Sequence, residues 1–205
     1  MNIQIKINQK ELQKGIQDEL KKVVRRSIPR IETKLNISLK ELLQRRFIEG
    51  LPVVTPSDIG EMGIPDLENR LFNISQAASN SFKVTVRPAN LLRIDIGILK
   101  SDYSDLLSLN ESIFQYFSKE GNNILPWLEW ILKGGNGTIV SGYDFREGSY
   151  GSSRTGLGLM FKGNGWAVPP NLRGTEQDNI LTRCLSAIDR DIEKVVKDLL
   201  SKELR

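Results

Sequence analysis

The chain has 205 residues, 39% of them hydrophobic, with a formal net charge of +4, one cysteine and no histidine. That length supports one real core with an appended arm, and the missing histidine removes Ser-His-Asp and Cys-His catalysis and histidine-ligated metals. Cys184 alone makes neither an internal disulfide nor a zinc site, which fits a reducing compartment, and the longest apolar run, ILPWLEWIL at 124–132, is too short to span a membrane.

Charge is unevenly placed. Residues 1–50 carry 12 Lys/Arg against 6 Asp/Glu, leaving 17 against 19 for the remainder. The opening MNIQIKIN alternates Ile3, Ile5 and Ile7 with polar residues, the period of a half-buried strand. Asn8 and Glu11 then resemble a capping box. Leu12, Ile16, Leu20 and Val23 share one helical face opposite Lys14, Lys21, Lys22 and Arg25, which predicts a helix from about 9 to 35, bent at Pro29. SLKE at 38–41 predicts a second helix through Phe47 to Gly50, so residues 1–50 read as a strand and a helical arm or hairpin, followed by an α+β body over 51–205.

Prolines 52, 56 and 65 and glycines 50, 60 and 63 mark a connecting segment with short helical turns, after which Asp66 is placed to cap a helix through Leu67, Leu71 and Ile74. FKVTVRP (82–88) and LLRIDIGIL (92–99) predict a β-hairpin. Residues 109–118 suit helix or strand equally, and LPWLEWILKG, with Pro126 at its start and Gly134 past its end, predicts a short helix. TIVSGYDF (138–145) and GLGLMFK (156–162) predict a second hairpin across a glycine- and serine-rich loop. A single long closing helix starts at Thr175 or Asp178 and buries Ile180, Cys184, Ile188, Ile192, Val195 and Leu199, while its charged face balances five cations against five anions. The expected fold is therefore α+β: long N- and C-terminal helices packed on a small antiparallel sheet, with a protruding glycine-rich hairpin.

The segment RTGLGLMFKGNGWAVPP (154–170) tests for a phosphate cradle. A P-loop places lysine after its last glycine and a hydroxyl after the lysine, whereas Lys162 precedes Gly163. A dinucleotide fingerprint needs a third glycine where Phe161 stands. The glycines instead suggest hairpin turns or a strand closely approached by another backbone. Glu129, set among Trp127, Leu128, Trp130 and Ile131, is a candidate acid if buried; pointing to water is the plainer alternative. Asp102 with Asp105, and Asp189 with Asp191, lack the dense oxygen-ligand spacing of a calcium loop and read as exposed or capping residues.

Tyr143, Phe145, Tyr150, Phe161 and Trp166 interleave with Arg146, Arg154 and Lys162. Stacking rings beside cations hold single-stranded nucleic acid, but the same mixture anchors protein interfaces, and core packing claims some rings in either case. The interface reading assigns Tyr143, Phe145, Arg146, Tyr150, Arg154, Thr155, Gly156, Phe161 and Trp166 to oligomer or partner contacts. Lys21, Lys22, Arg25 and Arg26 form a DNA-facing or docking face on the N-terminal helix, joined by Arg45 and Arg46 in the alternative reading as a nucleic-acid-binding module.

RTGLGLMFKGNGWAVPP, followed by GTEQDNILTRCL and a long closing helix, resembles small virion proteins of tailed bacteriophages, of the neck or tail-completion kind between portal and tail tube. Arg154, Thr155 and Gly156 carry the Arg-Thr-Gly match, and LPWLEWIL looks like a segment of phage structural proteins. The likeness is loose over the whole chain and tightest from about 124 to 200; the proline-rich segment 50–65 and the extra length depart from the shortest members. It implies a non-enzymatic ring subunit without cofactor or metal, assembled in the host cytoplasm into the virion. Its partners would be its own copies and portal, adaptor or tail-terminator proteins around a DNA channel.

Overall fold

A computed structural model describes residues 9–89, 92–118 and 121–204. The expected strand at Ile3–Ile7 and the cap at Asn8 lie outside the described residues. Helix α1 runs unbroken from Gln9 to Gly50 with Pro29 inside it, so the predicted second start at Ser38 does not occur. Buried positions recur at helical spacing through Val24, Ile31, Leu35, Leu39, Leu42, Leu43 and Phe47, and this burial overrides the local capping signal.

The chain divides into two compact units, neither ending at the residue 50 boundary that composition suggests. The first comprises α1 up to Leu39, the hairpin of β1 (Lys83–Pro88) and β2 (Leu92–Gly97), and the chain from Asp189 onward, which holds most of α7 (Ile188–Glu203). Its core joins Val24, Ile31, Leu35 and Leu39 to Val84, Val86 and Leu199. Glu203, whose side chain is nearly covered, ion-pairs with both Arg30 and Lys34 and so ties the last turn of α7 to α1. Long N- and C-terminal helices thus share one unit with a small antiparallel sheet, as expected.

The second unit contains α1 beyond Leu39, α2 (Pro56–Met62), α3 (Leu67–Asn80), the short α4 (Ser104–Leu107), β3 (Phe114–Ser118) with β4 (Gly121–Leu125), α5 (Trp127–Lys133), β5 (Val140–Glu147) with β6 (Gly158–Trp166), and α6 (Ile180–Cys184). The fold is α+β, but among the described residues the strands form three separate two-stranded antiparallel sheets. Phe47, Met62, Ile64, Leu67, Leu71, Trp127, Leu128, Ile131 and Val168 fill the core of this unit.

The predicted closing helix is two helices. Ala187 sits at φ 60° between α6 and α7, a left-handed conformation that ends the first and restarts the chain as the second. Nor do Thr175 and Asp178 start α6. Asn179 does: its Oδ1 accepts the N–H of Leu181 and of Thr182, while the Thr182 hydroxyl accepts the N–H of Asn179. Asp66 precedes α3 without capping it, because its carboxylate is taken by Arg70 Nε at 2.8 Å.

Candidate interaction surface at the 148–157 loop

The glycine-rich hairpin is the longest ladder among the described residues, and its loop folds back on its own unit. Gly148 N–H donates to Leu157 O at 3.0 Å and closes the base of the loop. Within it, Ser153 N–H donates to Tyr150 O, Gly156 N–H to Ser153 Oγ and Leu157 N–H to Thr155 Oγ1. These are the local side-chain turns that Ser and Thr favour. Gly156 has φ 75°, and nothing lies within 4 Å of where a Cβ would stand, so it is a turn residue facing open space.

Arg154 fixes the loop. Its Nε donates to Gly63 O at 3.2 Å, and its guanidinium carbon lies 4.1 Å from the centroid of the Tyr116 ring. Gly63, at φ 65° just after α2, is required for its left-handed backbone, and a Cβ there would displace the Arg154 guanidinium. The Phe145 ring is likewise wedged between Gly60 and Gly158, where Cβ atoms would collide with it. Of the glycines in the 154–170 segment, Gly156 is a turn residue, Gly158 is closely approached by both the Phe145 ring and the Arg146 backbone carbonyl, and the space at Gly163 is taken by the Asp144 carboxylate.

Gly60, Gly63, Tyr116, Phe117, Phe145 and Ser152–Met160, Gly156 and Leu157 excepted, line a depression of about 370 Å³ together with Glu61 and Ser118. Phe117 is 87% exposed and Met160 37%. On the hairpin itself Phe161 lies between Arg146, whose guanidinium carbon is 5.1 Å from the ring centroid, and Tyr150, whose ring meets it edge-on at 5.5 Å. Tyr143 is 48% exposed, opposite Lys162 in the ladder. Trp166 departs from its assignment. It is 6% exposed and packs edge-on against Trp130 at 5.9 Å, so it belongs to the interior of the unit.

Two carboxylates shape this region. Asp144 accepts the N–H groups of Gly165 and Asn164, which stabilise its charged form and lower its pKa. It thereby satisfies amides released by the register shift between Ser141 and Tyr143. Glu61 is pushed up, first by burial and then by the nearby Asp58 and Glu147 carboxylates; the Trp166 indole and Arg173 oppose this. The indole N–H makes no hydrogen bond of good geometry, and burial is the dominant influence on Glu61. Asp58 forms a capping box with Thr55 at the start of α2, and neither it nor Glu61 is among the residues singled out from the sequence.

The other candidates are not among the residues that line this depression. Glu129 is exposed on α5, the plainer of its two readings. Asp102 is exposed and accepts the N–H of Ser104 at the start of α4. On α1, Lys22 pairs with Glu19 at 2.7 Å and Lys21 with Asp18 at 3.9 Å, whereas Arg25 and Arg26 are exposed. No helix among the described residues is long and apolar enough to cross a membrane. No protein-family model, curated protein or solved structure matches the chain.

Proposed function

We propose that the chain is a self-assembling structural subunit, acting through surface contacts rather than catalysis. The observation that carries this is the exposed apolar pair Phe117 and Met160, lining one depression with the braced loop residues Arg154 and Thr155. Large exposed aromatic side chains beside an ordered arginine are the usual anchors of protein interfaces. The particular assembly is the neck or tail-completion region of a tailed-bacteriophage particle, on the likeness of residues 124–200 to such virion proteins. There the subunit forms a ring joining head or portal components to the tail, and Tyr143, Phe145, Arg146, Tyr150, Arg154, Thr155, Gly156 and Phe161 contribute the contacts. A ring is built from heterologous interfaces, which suits a subunit whose contact surfaces differ from one another.

The test is electron microscopy of particles containing the chain. The expected result is a ring of its density at the head–tail junction. Density for the chain elsewhere in the particle, with none at the head–tail junction, would overturn the reading. Channel-facing contact with DNA by Arg25 and Arg26 is secondary, since Lys21 and Lys22 spend charge on intrahelical partners.

A further inference from the structure

The two edges of the β1–β2 hairpin are treated differently. Val84 N–H donates to Asn36 Oδ1 at 3.3 Å and Val86 N–H donates to Glu32 Oε2 at 3.2 Å, so two α1 side chains close the outer edge of β1. Because amide and carbonyl of one residue point to the same side of an antiparallel strand, Val84 and Val86 face away from β2, and their partners Ile96 and Ile94 face away from β1. Among the described residues no strand pairs with that side of β2. Ile94 and Ile96 are half-buried where Val84 and Val86 are buried, so the apolar face is also incomplete at β2.

Residues 3–7 have the complementary pattern. Ile3, Ile5 and Ile7 alternate with Gln4 and Lys6. Added to β2, the isoleucines would extend the face of Ile94 and Ile96, and Lys6 would lie on the exposed face with Arg93 and Asp95. The chain's own segment cannot reach. Gln9 precedes Glu32, the residue that holds Val86, by twenty-three helical positions, which is about 35 Å of rise. Ile5 lies four residues before Gln9, a span of about 14 Å at full extension. A second copy has no such restriction.

We infer that the open edge of β2 receives the Ile3–Ile7 segment of a second copy of this chain, a strand donated head to tail from subunit to subunit. One copy's segment and the next copy's edge are different surfaces, the heterologous contact that generates rings. The inference rests on the self-assembly part of the reading above, not on its phage setting.

The test uses the full-length chain in purified form. Ile5→Asp is expected to weaken self-association at least about tenfold by sedimentation, with unchanged circular dichroism. In a second experiment Gln4→Cys and Lys6→Cys chains are each mixed with Asp95→Cys chains; Cys184, 5% exposed, is left in place. A disulfide-linked pair between the two variants is expected under mild oxidation, since Asp95 would sit at the close-approach position of the new ladder. Unchanged association in Ile5→Asp, or failure of both mixtures to cross-link, would overturn strand donation while leaving self-assembly standing. A wild-type chain that is monomeric at every concentration would instead remove the self-assembly reading itself.

Discussion

Glu32 Oε2 accepts the N–H of Val86 at 3.2 Å, a helix carboxylate closing a strand edge within the first unit. Asn36, one turn further along α1, does the same for Val84. An edge amide that loses its acceptor in a partly buried setting costs on the order of 1–2 kcal/mol. Glu32→Ala and Asn36→Ala should each lower the free energy of unfolding by about that amount in urea titrations. The double variant should also precipitate sooner on heating, because β1 then presents a second open edge.

The pH response should show two opposed contributions. Glu203 is lowered from its ordinary 4.5 chiefly by the Lys34 ammonium it accepts from, with Arg30 adding attraction. Its contribution is therefore present above the unfolded value and is lost as pH falls through the folded one. Glu61 is raised by burial, so the folded state favours its proton and stability declines as pH rises through the window above 4.5. Glu203→Gln should flatten the loss of thermal stability below pH 4.5, and Glu61→Gln should remove the decline on its upper side. Thermal melts across a pH series distinguish the two.

Asn179 is fully buried and satisfies α6 from inside the second unit. Besides capping Leu181 and Thr182, its Nδ2 donates to Tyr103 Oη at 2.9 Å and to Thr175 O at 2.8 Å. Asn179→Ala strips several buried groups at once and should cost about 2–4 kcal/mol. Tyr103→Phe, which removes one acceptor and the donor to Glu176 O, should cost about 1–2 kcal/mol. Chemical denaturation of both variants checks the ranking.

Arg154 should matter more to assembly than to folding. Its cation–π contact and single hydrogen bond are worth together about 1–2 kcal/mol. Arg154→Lys cannot reproduce a planar group lying over Tyr116 while also reaching Gly63 O, so it should behave like Arg154→Ala. Both should keep a cooperative melt, open the loop to limited proteolysis near Ser152 and Ser153, and reduce self-association. Gly63→Ala should be worse than either, since it strains a left-handed backbone and expels the guanidinium.

What was legible in the sequence follows from the range of the interactions involved. The β1–β2 and β5–β6 hairpins, α5 and the helical character of residues 9–50 are set by period and local turn residues, and they stand where expected. The break at Ala187 was hidden, because Ile180, Cys184, Ile188 and Ile192 keep helical spacing straight across it. Ser38 misled in the opposite direction, a capping box overruled by burial of Leu35, Leu39 and Leu42. At the candidate surface, the Arg-Thr-Gly turn was visible, but its bracing was not. Arg154 meets Gly63 ninety-one residues away and Tyr116 on a separate hairpin, and no local pattern encodes such pairs. Trp166 looked like an interface ring from composition alone and is a core residue through its contact with Trp130.

Sedimentation velocity of the purified full-length chain, alongside a variant lacking Ser149–Ser153, addresses self-assembly directly. The wild-type chain should form a discrete multimer whose population rises with concentration, and the deletion variant should remain folded yet sediment mainly as a monomer. A wild-type chain that sediments as a single 23.2 kDa species throughout, or a deletion variant that assembles as the wild type does, would contradict the account.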